Sequence, residues 1–256
     1  MAEKKKPKRK KLKRVLLLFL FLIVGLMLYS TYFLLSLPEV ENLRNKNPEI
    51  TAMMQQRINE AAAKGETLHI RQQWVSFETI PQLLKDTVRI SEDAAFYHHQ
   101  GIDYYELKEA IKRNLKEGKK ARGGSTITQQ LAKNLFLSTE KSYSRKAKEF
   151  VLAKKLESHL SKDRIFSLYL NVIEFGKGIF GVEAASLFYF KKSVGGLNLS
   201  EIVRLVSIIP KPLKVNPLSN SSRYLKWRAN LLLDRLHKYD YITMKEYNKV
   251  KEEFKN

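Results

Sequence analysis

Two acidic side chains stand next to each other in "SEDAAFYHHQG" (Ser91–Gly101), at the end of a stretch with the apolar spacing of a helix: Glu92 and Asp93. Adjacent carboxylates repel, and a helix C-terminus is the wrong pole for negative charge, so the placement costs stability. A carboxylate held there and partly shielded from water suits general acid or base work. Solvated charges at a helix end are the plainer reading of the same residues.

A second constellation lies in "SRKAKEFVLAKKLESHL", where Arg145, Glu149, Ala153 and Glu157 fall on one strip at intervals of four. As a surface pair, Arg145 and Glu149 are in the weaker basic-before-acidic order, worth about 0.3–0.5 kcal/mol. Buried beside a phosphate the pair makes better sense, because Arg grips phosphate oxygens bidentately while the acid orients it.

The third is "ARGGSTITQQLAKNLF" (Ala121–Phe136). Gly123 and Gly124 permit backbone conformations closed to other residues, and Thr126 with Gln129 fits the capping box that starts a helix. Such a start points free N–H groups and a positive dipole end at an anion. A capped helix after a flexible turn explains the glycines and the cap equally well. It explains less well why Thr128, Gln129, Gln130, Lys133 and Asn134 spread polar groups over so much of the helix.

These groups need a scaffold. Pro38–Glu66 reads as a juxtamembrane linker with a helix around "EITAMMQQRINEAAAKG", closed at Gly65. "TLHIRQQWVSF" has a β-like alternation at Leu68, Ile70 and Trp74, which predicts a short strand. From Pro81 onward the pattern is helical, from "IPQLLKDTVRISEDAAFY" to "SSRYLKWRANLLLDRLHKYD". Gly176, Gly178 and Gly181 read as links between helices. They do not follow a strand in a βαβ unit, so a dinucleotide-binding reading is weak. A mostly α domain over 67–256 is expected.

Ahead of it, Val15–Leu37 has 23 residues without a charge, enough to cross a hydrocarbon core of about 30 Å as a helix. The run is long for a signal peptide and "LLSLPEV" lacks a small-x-small cleavage pattern, so an anchor is expected. Residues 1–14 carry nine Lys/Arg against one Glu, a net +8 of the chain's +21. The positive-inside rule then puts the N-terminus in the cytoplasm and the domain outside. A basic domain held there meets lipid headgroups and lipid-linked phosphates in place of nucleic acid. With no cysteine, disulfides and thiolate metal sites are excluded, and the five histidines show no metal-binding spacing.

Taken in order, "EDAAFYHHQG", "GGSTITQQLAKN", "RKAKEFVLAKKLE", "KDRIFSLYLNVIEFGKGIFGVEAASLFYF" and "LNLSEIVRLVSIIPKPLKVNP" closely resemble the five motifs of the peptidoglycan glycosyltransferases, over about Gln73–Pro217. One departure is that Glu201 is followed by Ile202, Val203 and Arg204 where that family has small residues. The resemblance implies a lysozyme-like α fold with a smaller membrane-apposed lobe, and a monofunctional enzyme, without a transpeptidase domain, that polymerises lipid II. It implies Glu92 as general base and Glu149 as a second essential acid. Lys133, Arg145 and Lys146 would bind phosphate, and Gly124, Ser125, Thr126, Gln130 and Asn134 would line the cleft. Asp93, Phe96, His99, Tyr169 and Asn171 complete the substrate-binding set. Expected partners are lipid II, the growing glycan, the membrane and other cell-wall synthesis proteins. No cofactor is required, though Mg²⁺ or Mn²⁺ could bridge the phosphates. The same shape also serves glycan-cleaving enzymes, and an inactive membrane-anchored scaffold is the remaining alternative.

Overall fold

The structure, a computed structural model, describes residues 7–117, 124–140 and 142–255, so Gly123 and the first residues of the basic tail lie outside the described residues. The chain forms two compact units, one ending at Glu39 and one beginning at Val40. The first is a single helix, α1 (Pro7–Leu35). Its stretch Lys11–Leu35, mean hydropathy 2.4, is long and apolar enough to cross a membrane. The helix begins in the basic segment, with Pro7 at the first position, where its missing N–H costs nothing.

The second unit is built almost wholly of helices: α2 (Ala52–Ala62), α3 (Gln82–Glu92), α4 (Tyr104–Glu117), α5 (Ile127–Phe136), α6 (Tyr143–His159), α7 (Lys162–Val172), α8 (Val182–Phe190), α9 (Leu199–Ile208), α10 (Arg223–Lys238) and α11 (Met244–Glu252). The mostly α expectation holds. Side-chain caps start many of the helices, with Thr51, Thr126, Ser142, Ser161, Asn198, Ser222 and Thr243 each accepting a backbone N–H in the first turn.

α5 packs against α2, α6 and α7. Ile127, Leu131 and Ala132 of α5 meet a buried set that includes Leu152 and Leu156 of α6 and Ile165 and Leu168 of α7. A second group brings α3, α9 and α10 together, burying Leu84 and Val88 with Val203, Val206, Leu225 and Leu232. Burying each such side chain fully is worth about 1.5–3 kcal/mol. The C-terminus of α3 carries Glu92 to where α5 from the first group and α10 from the second both reach it.

The stretch expected as a linker is integrated with this unit. Val40, Met53 and Met54 are buried, and the Arg57 guanidinium of α2 donates two bonds to Glu174, 2.7 and 2.8 Å. The alternation near Ile70 yields only β1 (Arg71–Gln72), which pairs in parallel with β3 (Ile179–Phe180). β3 in turn pairs antiparallel with β2 (Glu174–Gly176), so the glycine series turns a hairpin and does not simply link helices. Gly181 sits at φ +82°, and a Cβ there would lie 2.5 Å from the Asn171 carbonyl oxygen, a place only glycine can fill.

Candidate active site

Glu92 is the last residue of α3, with its side chain 10% exposed. Ser91 Oγ donates to Oε1 (2.7 Å), Gln130 Nε2 of α5 donates to Oε2 (3.2 Å), and Arg228 Nη2 of α10 stands 3.4 Å from Oε1. Arg228 also donates to Ser91 Oγ at 2.7 Å. Gln130 is itself oriented by Tyr169, whose hydroxyl donates to Gln130 Oε1 at 3.1 Å. Complete burial, with the nearby Glu92 and Asp93 charges, holds that phenol well above its usual pKa, so it remains a donor. The carboxylate is thus fixed from three sides by donors, the arrangement a general base needs to face one direction.

Asp93 resolves the cost noted at the helix end. It is the wrong pole for α3, but its Oδ2 accepts the Ile127 N–H at the start of α5 (3.0 Å), where negative charge is favourable. His99 Nε2 lies 3.0 Å from both Asp93 oxygens. Phe96 is buried against His99 and Phe166. Thr126 Oγ1 accepts the Gln129 N–H and donates to the Gly101 carbonyl, while Gln129 returns the capping-box bond to the Thr126 N–H. This corrects the expectation that α5 opens free N–H groups to a ligand: Asp93 and the capping box occupy that end. Asp93, Phe96, His99 and Thr126 thus tie the segment after Glu92 to the start of α5.

The positive groups lie farther along. Glu149 is buried, accepting from Arg145 Nη1 (2.8 Å) on one oxygen and from Lys146 Nζ on the other. Lys146 also donates to Ser125 Oγ at 3.0 Å. Lys133 of α5 is half-buried and, among the described residues, has no hydrogen bond or ion pair. Burial lowers its pKa from the usual 10.5. The charges of Arg145 and Lys146 lower it further, while those of Glu149 and Glu174 oppose the drop. Three cations around one acid leave an excess of positive charge, suited to a diphosphate. Gln130, Lys133 and Asn134 share one face of α5 at i, i+3 and i+4. That face therefore joins the acid at one end to the cations at the other. Gly124 passes so close to α4 that a Cβ would sit 3.3 Å from the Glu106 carbonyl oxygen.

Asn171 does something other than line the cleft. It is fully buried, its amide oxygen accepting from the Val75 N–H and its nitrogen donating to the Val75 and Ser167 carbonyls. It ties α7 to the segment after β1.

Residues 59–237 match the Transglycosylase family. The chain belongs to that family. It is 39% identical over 228 residues to the biosynthetic peptidoglycan transglycosylase of Herminiimonas arsenicoxydans, covering 88% of this chain and 97% of that one. It is 43% identical over 217 residues to the enzyme of the same name from Nitrosomonas eutropha, covering 85% and 87%. A crystal structure of penicillin-binding protein 1A from Haemophilus influenzae aligns with 72% of this chain and 18% of its own, at 22% identity and a TM-score of 0.41. The protein is a peptidoglycan glycosyltransferase, and its apolar N-terminal helix fits a membrane anchor.

The match to the transglycosylase family runs 20 residues beyond Pro217, into α10. Arg228 lies there, outside the five quoted stretches, and was not among the expected site residues. A signal for it exists in the sequence. Leu225, Ala229, Leu232 and Leu236 mark the buried face of α10, and Arg228 falls on it, 6% exposed. A charge on an apolar face has to meet a partner, and here the partners are Ser91 and Glu92.

Proposed function

We propose that this transglycosylase polymerises lipid II by direct displacement at the anomeric carbon. Glu92 removes the proton from the 4-hydroxyl of the acceptor disaccharide as that oxygen bonds to the anomeric carbon of the lipid-linked glycan. The bond from that carbon to the pyrophosphate breaks, and the lipid pyrophosphate leaves with the electron pair. One displacement inverts the configuration, giving a β-1,4 linkage. Lys133, Arg145 and Lys146 take up the charge of the departing diphosphate, and Glu149 fixes the latter two in place. The observation that carries the reading is the face of α5, which hydrogen-bonds the acid through Gln130 and places Lys133 within the field of Glu149, Arg145 and Lys146.

A Mg²⁺ or Mn²⁺ ion here would rest chiefly on the phosphate oxygens of the substrate. Among the described residues no three His, Asp or Glu converge, and both Glu149 oxygens already meet cations. No step is routed through a metal. A glycan-cleaving enzyme needs one acid and a sugar cleft, and has no use for three cations around a second acid. Other cell-wall synthesis proteins are proposed as partners at the same membrane, with the glycan as their shared substrate.

Size separation of the products from labelled lipid II tests the reading. A ladder of lipid-linked glycan is expected. Shortening of preformed glycan without a ladder would replace polymerisation with cleavage.

A further inference from the structure

Next to the Glu92–Arg228 pair, α10 presents two aromatic rings that nothing in the reaction above uses. Tyr224 lies one turn before Arg228 on the same helix face and is half-buried. Trp227, three residues after Tyr224, is 58% exposed, and the two rings are 5.9 Å apart and tilted by 51°. Lys211 Nζ sits 4.1 Å from the centre of the Tyr224 ring, a cation–π contact that steadies the ring. Burial raises the Tyr224 hydroxyl above its usual pKa, with Arg228 lowering it and Glu92 raising it, so this ring lies within the field of the acid itself.

We infer that Tyr224 and Trp227 form a ledge on which a sugar ring of the acceptor stacks beside Glu92. The apolar C–H face of a pyranose fits a flat aromatic ring while its hydroxyls remain at the edge for polar groups. An exposed tryptophan packed on a ring one turn from Arg228, which in turn holds the carboxylate, is therefore a place where a sugar can be held with one hydroxyl toward the base. The Lys211 charge adds complementarity to an acceptor that is anionic. Trp, Tyr and Lys also occur together where proteins meet lipid headgroups. The continuity of Tyr224 with Arg228 and Glu92 favours the sugar.

The inference rests on the polymerase reading, and its test separates the two. A donor epimerised at the 4-hydroxyl can give its glycan but cannot accept. An acceptor whose anomeric oxygen is replaced by carbon can accept but cannot donate. Together they limit the full-length, detergent-solubilised enzyme to one addition. Trp227→Ala is expected to raise the acceptor KM about three- to tenfold, with donor KM and kcat within about twofold of wild type and Trp227→Phe largely restored. An unchanged acceptor KM, or an equal rise for the donor, overturns the ledge. The chain has two tryptophans, so Trp74→Phe leaves Trp227 as the sole indole reporter. Its emission is expected to shift with the acceptor analogue in micelles and to ignore phosphatidylglycerol vesicles. The reverse response assigns the ring to lipid and also overturns the proposal. Failure of the wild type to make any single-addition product overturns the polymerase reading instead, while the emission titration still reads the ledge.

Discussion

Lys133 is held in a state that folding alone disfavours. Its folded pKa is depressed, so its contribution to stability is fully present above the unfolded value of about 10.5 and is lost as pH falls through the lowered folded value. At neutral pH the ammonium is therefore a cost in the ligand-free protein, offset when a diphosphate binds. Lys133→Met is expected to raise the ligand-free Tm by about 2–4 °C. The same change lowers kcat/KM by about 10²–10³-fold, as for loss of one preorganised charge at a leaving group. Calorimetry and lipid II turnover on one preparation check both. Arg228 acts through Glu92. Removing its charge in Arg228→Met disfavours the carboxylate. The acid limb of the pH–rate profile should move to higher pH and kcat fall about 10–100-fold, with Arg228→Lys restoring part of each. A uniform fall in rate without movement of the acid limb would make Arg228 merely structural.

Among the elements, α5 carries the most. Its capping box, polar face and Lys133 are all local patterns, and all three were legible in the sequence. The use of its N-terminus was not, because the group that fills it, Asp93, is 34 positions away. The Arg228–Glu92 approach spans 136 positions, and no periodicity reports a contact of that range. Asn171 shows the opposite failure: a polar residue among expected site residues serves the backbone groups of Val75 and Ser167, and the glycine series that follows it, read as a link between helices, turns a hairpin. That bracing gives its own prediction. Gly181→Ala places a methyl against the Asn171 carbonyl at a positive φ. It should lower stability by about 2–4 kcal/mol, seen as an earlier denaturant midpoint, while activity per folded molecule stays within about twofold.

For the whole molecule, composition separated an apolar helix from a basic domain and placed a linker over 38–66 between them, whereas the second compact unit of the structure begins at Val40 and takes most of that stretch in. The helix class of the domain was legible because long amphipathic stretches repeat; of the short strands the alternation near Ile70 marked β1, while β2 and β3 were hidden because two or three residues carry no period. The orientation proposed from the basic tail can be read directly, since the chain has no cysteine. Lys214→Cys at an exposed position should react with a membrane-impermeant maleimide in intact cells. Protection until the membrane is broken would reverse the orientation. The central claim is that Glu92 is the base, and the most direct measurement is polymerisation of labelled lipid II by Glu92→Gln beside wild type. Removing a general base without removing volume predicts a loss of about 10²–10⁴-fold in polymer formation, with lipid II binding retained. Polymer formed by Glu92→Gln at near the wild-type rate would contradict the account.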